Sequence, residues 1–158
     1  MAPEIEISRA TVDDAAVVTG LQIDFDTEFE GSATSFEVLS ARFRRLLADP
    51  AAFVLLAGDR ADPVGYALVT LRPTVYCEGP LAVLDELYVR PSRRSQGIGH
   101  LLLSLVVEEV RARRGELHIN VDEVDVDARR FYERHGFVNI EPGHDYRMLL
   151  YVGTSDDR

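Results

Sequence analysis

The chain has 158 residues, 46% hydrophobic and 28% charged, with a formal net charge of −10; these are values of one globular domain, acidic enough to be repelled by nucleic acid and anionic membranes. No apolar run reaches the roughly 18 residues that would cross a bilayer, and the start lacks a basic stretch followed by an apolar block, so a cytoplasmic protein without a signal peptide is expected. All 17 basic residues are arginine, which excludes a Schiff-base lysine and a nucleotide P-loop, and the single Cys77 excludes an internal disulfide.

In chain order, "EIEISRA" alternates like a half-buried strand. Thr11 can cap a helix whose first turn holds Asp13 and Asp14 and whose apolar face holds Val17, Val18 and Leu21. "DFDTEFEGSATS" reads as an acidic loop, and Ser35 caps a second helix that stops before Pro50. "AAFVLLAGD", the turn "RADP" and "VGYALVTL" predict an antiparallel pair; "RPTVYCEGP" then connects to the strand "LAVLDELYV". The loop "RPSRRSQGIG" leads into the helix "HLLLSLVVEEVRARRG", closed by Gly115. "ELHINVD" is a further strand, "DARRFYERHG" a short helix, and "FVNIEPG" with "DYRMLLYV" a final strand pair. The order β-α-α-β-β-β-α-β-α-β-β describes an α+β domain over residues 1–152, followed by a polar tail, 153–158.

Charge is uneven along this order. Residues 1–40 hold nine acids (Glu4, Glu6, Asp13, Asp14, Asp24, Asp26, Glu28, Glu30, Glu37) against Arg9, a net of −8. Such a surface attracts cations. Against that background "RRSQGIG", residues 93–99, is an exception. A strand, a glycine-containing loop and a helix make an anion site, because the first helical N–H groups lack partners and the dipole adds partial positive charge. A dinucleotide fingerprint needs a third glycine where Leu102 stands. What remains is a pyrophosphate held by backbone N–H groups with arginine support.

"LYVRPSRRSQGIGHLL" resembles the coenzyme A motif of the Gcn5-related N-acetyltransferase (GNAT) family, Gln/Arg-x-x-Gly-x-Gly/Ala, with Arg94, Gly97 and Gly99 in its three fixed places. About thirty residues on, "DARRFYERHGF" is similar to the family's Ala-x-x-x-Tyr-Glu-x-x-Gly-Phe segment. The resemblance implies a GNAT fold: a mixed twisted sheet of about six to seven strands flanked by four helices, strands four and five splayed, with acetyl-CoA in the gap as cosubstrate. It further implies that the strand residues Leu87, Tyr88 and Val89 line the pantetheine, Leu87 and Val89 pairing with its amides. Backbone from Arg94 through Ser95, Gln96, Gly97, Ile98 and Gly99 to His100 would hold the pyrophosphate, with Arg93 and Arg94 adding charge-assisted bonds. Two departures stand out. Ser95 replaces a glycine common in relatives, at little expected cost since serine is small; Asp125 replaces the usual asparagine seven residues before the motif tyrosine and either faces the cofactor or turns to the acceptor.

The implied chemistry requires a neutral amine, an oxyanion donor and a proton for the departing thiolate. Tyr132, the motif tyrosine, is the candidate acid, since a phenol is protonated at neutral pH. The N–H of Val89 would meet the oxyanion. Asp85 and Glu86 are the candidate bases; in a regular strand they face opposite sides, so one of them can face the acceptor. His118 and His135 are expected to be packed or solvated, and no Cys/His/Asp spacing suggests a metal. The acidic segment favours a small cationic amine, polyamine or aminoglycoside, as acceptor. A protein N-terminus or lysine is an alternative, and a non-catalytic acyl-CoA-binding regulatory module is another. The exposed C-terminal strand edge predicts a homodimer.

Overall fold

The computed structural model describes residues 4–29, 31 and 34–153, which fall into two compact units divided between Ile119 and Asn120. The first unit is built on a five-stranded sheet, β1 (Ile7–Arg9), β2 (Ala52–Asp59), β3 (Asp62–Arg72), β4 (Leu81–Val89) and β5 (Glu116–Ile119), arranged in that order. All neighbours are antiparallel except β4 and β5, which run parallel. The α+β class and the mixed sheet agree with the sequence. The strand count is five, below the expected six to seven.

Two helices lie on one face, α1 (Ala15–Glu28) and α2 (Phe36–Ala48); α3 (Ile98–Ala112) packs on β2, β3 and β4. Alternation in the strands decides this division. Val54, Leu56, Tyr66, Leu68 and Tyr88 join Val18 and Leu21 of α1 and Phe43 of α2 in one buried cluster. The intervening residues Phe53, Ala67 and Val69 are buried on the other face, and α3 buries Leu102, Leu103, Val106 and Val110. Ser35 caps α2 by accepting the Val38 N–H at 3.3 Å. The expected closure of α3 by Gly115 shifts by one residue: Arg114 takes the left-handed conformation (φ 57°), whereas Gly115 lets the Pro80 carbonyl approach where a Cβ would lie 2.4 Å from it.

The stretch expected to be an acidic loop is helical as far as Glu28, so Asp24, Asp26 and Glu28 stand on the last two turns of α1, and Glu30 lies outside the described residues. The apolar spacing Val18, Leu21, Phe25, Phe29 carries the helix on. Phe25 lies tilted against Phe29 at 5.0 Å and meets Tyr88 edge-on at 5.3 Å.

The second unit holds α4 (Val126–Arg134) and, where a final strand pair was expected, one isolated antiparallel bridge, Ile140 to Arg147. Alternation of apolar residues there is not matched by a ladder, and a two-stranded hairpin alone is marginal in water. The expected polar tail lies outside the described residues from position 154 on.

Candidate active site

Pairing between β4 and β5 ends at Leu84 and Ile119, yet β4 continues to Val89 against β3 alone. The expected splay of the fourth and fifth strands is therefore a loss of pairing after four residues. The Arg90 N–H donates to the Val64 carbonyl at 2.8 Å, which makes that pair hydrogen-bonded. Antiparallel ladders alternate bonded and non-bonded pairs, so Val89 (opposite Gly65) and Leu87 (opposite Ala67) turn their N–H and C=O groups away from β3. Both thus face the unpaired edge, where an extended ligand can add as a strand does.

Beyond β4 the chain makes a 3-10 turn over Pro91–Arg93 and enters α3 through Gly97. Gly97 is left-handed (φ 82°), and a Cβ there would meet nothing within 4 Å. The N–H groups of Ile98, Gly99 and His100 stand in the first turn of the 15-residue α3 and so have no partner within the helix. Ser95 is also left-handed (φ 60°). The glycine common at that position is thus explained by conformation and not by size, and serine there carries a backbone cost that reasoning from side-chain volume missed. Arg93 donates through Nε to Gln96 Oε1 at 3.2 Å. Arg94, expected to reach the phosphates, donates two bonds to the Glu28 carboxylate, at 2.5 and 2.7 Å, and one to the Val89 carbonyl at 2.9 Å.

Asp85 and Glu86 do not face opposite sides. The β3–β4 register shifts where Leu68 and Val69 oppose Glu86 and Leu84, so Asp85 is the extra residue of a bulge. Glu86 pairs with Leu68 on the α1 face; Asp85 accepts the Thr70 hydroxyl at 2.6 Å, and Thr70 is two residues from Leu68 and so on the same face. Glu86 is half-buried and makes no hydrogen bond or ion pair among the described residues. Burial, and then the charges of Asp26 and Asp85, push its carboxyl up to about 7.

Asp26 is held by a buried chain that the sequence did not signal as functional. Gln22 Nε2 donates to Asp26 Oδ1 at 2.9 Å, and the Tyr66 hydroxyl donates to Gln22 Oε1. Burial pushes the Tyr66 phenol well up, so it stays a donor. A helical reading of 22–29 would have placed Gln22 and Asp26 one turn apart on one face. The other acids of α1 are answered by arginine: Asp24 by Arg90 at 3.4 Å and Glu28 by Arg94. Of the acids on α1 and in the second half of β4, Asp26, Asp85 and Glu86 have no arginine partner among the described residues.

His118 lies against Glu116 Oε1 at 2.6 Å and is exposed. Within the second unit, Tyr132 sits on α4 between Phe131 (5.3 Å) and Phe137 (6.3 Å), edge-on to both. Asp125 is the N-cap of α4, accepting the Ala128 N–H at 3.1 Å. An asparagine would cap equally well, which accounts for the exchange of one for the other. His135 lies 2.7 Å from the Phe131 carbonyl through Nδ1. Among the described residues no cluster of His, Cys, Asp and Glu could hold a metal.

The model of the acetyltransferase (GNAT) family matches residues 19–137. The chain is 45% identical to a protein of Arthrobacter sp. FB24 solved as a provisional acetyltransferase, with a TM-score of 0.88 over 98% of this chain and 99% of that one. It is 28% identical over 136 residues to the aminoalkylphosphonate N-acetyltransferase of Salmonella typhimurium, covering 85% of this chain and 86% of that protein. An aminoglycoside acetyltransferase from an uncultured soil metagenomic sample shares the fold, with a TM-score of 0.78, 24% identity and 96% of each chain covered. An open β4 edge, a glycine-entered helix and a family match over most of the chain converge on one conclusion: this chain belongs to the GNAT acetyltransferase family.

Proposed function

We propose that the chain transfers the acetyl group of acetyl-CoA to the primary amine of a small cationic acceptor. The observation that carries this reading is Glu86, a half-buried carboxyl without a hydrogen-bond or ion-pair partner among the described residues, pushed up to about 7, beside the unpaired edge of β4. A carboxyl of that strength is half-ionised near neutral pH and is a stronger proton acceptor for an ammonium than an ordinary carboxylate. The flanking Asp26 and Asp85 favour a cation as the molecule that brings the proton.

In the proposed reaction the pantetheine lies along Leu87 and Val89, and the pyrophosphate meets the N–H groups from Ser95 to His100. The ammonium gives its proton to Glu86, and the neutral nitrogen attacks the thioester carbon. The carbonyl oxygen takes up the negative charge against the Val89 N–H. The carbon–sulfur bond then breaks, and Tyr132, proposed on its motif position, protonates the thiolate.

Thiol release measured with a polyamine, an aminoglycoside, an aminoalkylphosphonate and a peptide N-terminus tests the proposal. Turnover of the cationic amines is expected; turnover of the peptide alone would replace the acceptor. A non-catalytic module would give an acetyl-CoA melting shift with no thiol release for any of them. Gly97→Val should abolish that shift, because its Cβ enters the phosphate cradle from a left-handed position. We also propose a homodimer, supported by the exposed apolar run 148–152 and testable by light scattering.

A further inference from the structure

We infer that Arg94 is a positioning residue that joins the acid-bearing end of α1 to the reactive edge of β4, and not a ligand of the cofactor phosphates. The inference rests on the acetyl-transfer reading for its kinetic consequence, although the joint itself is a matter of geometry.

The guanidinium has its donors committed on two sides. Two go as a fork to Glu28, in the last turn of α1, and Nε goes to the Val89 carbonyl. The same group lies over the Tyr88 ring at 5.8 Å, and Tyr88 meets Phe25 of α1 edge-on. Arg90 and Asp24 form a second rung at 3.4 Å, with the same four-residue spacing on both elements. A planar fork suits this arrangement and an ammonium does not, since Arg94 must satisfy a carboxylate and a carbonyl at once.

Val89 is where the joint matters. Its carbonyl and its N–H both point to the unpaired edge, so a donor that seizes the carbonyl also fixes the residue's orientation and leaves only the N–H for a ligand. On the other side, the turn of α1 that Glu28 closes carries Asp26, the charge that bears most on Glu86. A ligand that orders the edge of β4 therefore also orders the helix that presents Asp26. The cofactor edge and the amine side are linked through one side chain.

The full chain tests this with Glu28→Gln, Arg94→Lys, Arg94→Ala and the double variant. Titration with acetyl-CoA, thiol release and hydrogen exchange are followed on each. Glu28→Gln and Arg94→Ala should each lower kcat, on the order of tenfold to a hundredfold for a displaced reacting group, with the acetyl-CoA Kd unchanged. The double variant should be no worse than Arg94→Ala, and Arg94→Lys should restore part of the loss. In the wild type, acetyl-CoA should slow exchange in the last turn of α1 as well as in the 94–100 loop; in Glu28→Gln the slowing should stay in the loop. A merely structural ion pair would not move that ligand-dependent pattern.

The inference is overturned if Arg94→Ala weakens acetyl-CoA binding by about tenfold or more, as loss of a phosphate contact does, while Glu28→Gln behaves as the wild type. If the wild type acetylates no amine, the acetyl-transfer reading fails, and the exchange pattern still decides the joint either way.

Discussion

Tyr66 and Tyr132 measure the difference between the two units. Tyr66 is 0% exposed, with its ring edge-on to Phe43 at 6.3 Å and its hydroxyl on Gln22. Tyr132 is half-buried on α4, and from Asn120 to Gly153 no described side chain is fully buried. One tyrosine is held by a core that draws on three strands and two helices. The other is held by a cap, a glycine turn at Gly136 and neighbouring rings. The comparison teaches that order near the candidate base is imposed by burial, whereas order around the candidate acid is imposed locally. A substitution in the buried cluster of the first unit should therefore cost stability, whereas one at Tyr132 should cost activity.

Tyr132→Phe is the strongest attempt to break that division. The ring contacts survive and the proton donor goes, so kcat should fall by roughly 10²–10⁴-fold with acetyl-CoA affinity and melting temperature nearly unchanged. Full activity in a thiol-release assay would remove Tyr132 from the chemistry.

Next in size is Glu86→Gln, expected to lower kcat/KM by about 10²-fold at pH 8 and to flatten the limb that rises through about pH 7. Asp85→Asn should keep that limb and slide it to lower pH, because one of the charges raising Glu86 is gone. The same group carries a stability signature. Its folded-state pKa lies above the unfolded value, so its contribution is fully present below about pH 4.5 and is lost as pH rises through about 7. Glu86→Gln should accordingly flatten unfolding stability measured between pH 5 and 8, while a slope that persists would mean that Glu86 is not its source.

Leu21→Ala sharpens the other half of the comparison. Leu21 is 0% exposed in the main cluster, and its truncation should cost about 2–5 kcal/mol by urea unfolding. The smallest effect is expected of Asp125→Ala, which removes the cap of α4 for about 1 kcal/mol. Exchange should quicken in residues 126–134 and stay as it was in β3. A loss spread over both units would erase the distinction.

Most of the first unit was legible because its period is plain. The apolar runs in β2 and β3, Ser35 before α2 and the apolar face of α3 each announce an element by spacing alone. The phosphate-type loop was legible because Gly97 and Gly99 open a helix directly after a strand. Three things were not. The end of α1 was hidden because Asp24, Asp26 and Glu28 interleave with the phenylalanines that carry the helix onward. The pairing of Arg94 with Glu28 was hidden because a partner 66 residues earlier leaves no local mark. The shared face of Asp85 and Glu86 was missed because a bulge is one residue of surplus between two strands, visible only when both are aligned.

That surplus residue also widens how β4 can evolve. Ala82 and Leu84 are buried on the far side of the shift from Tyr88, which is buried on the α1 face. Removing position 85 would leave Leu84 opposite Val69 and Glu86 opposite Leu68, consecutive pairs of a plain ladder, so every residue from Leu81 to Leu84 would keep its partner and its facing. Substitutions at 85 and 86 leave the register alone, so a change of acceptor chemistry can come by replacement at these two positions. It can come equally by loss of position 85, which takes away one acid and leaves the pairs on either side in place. Descendants of this chain are free to vary the acid and, at this one place, the length.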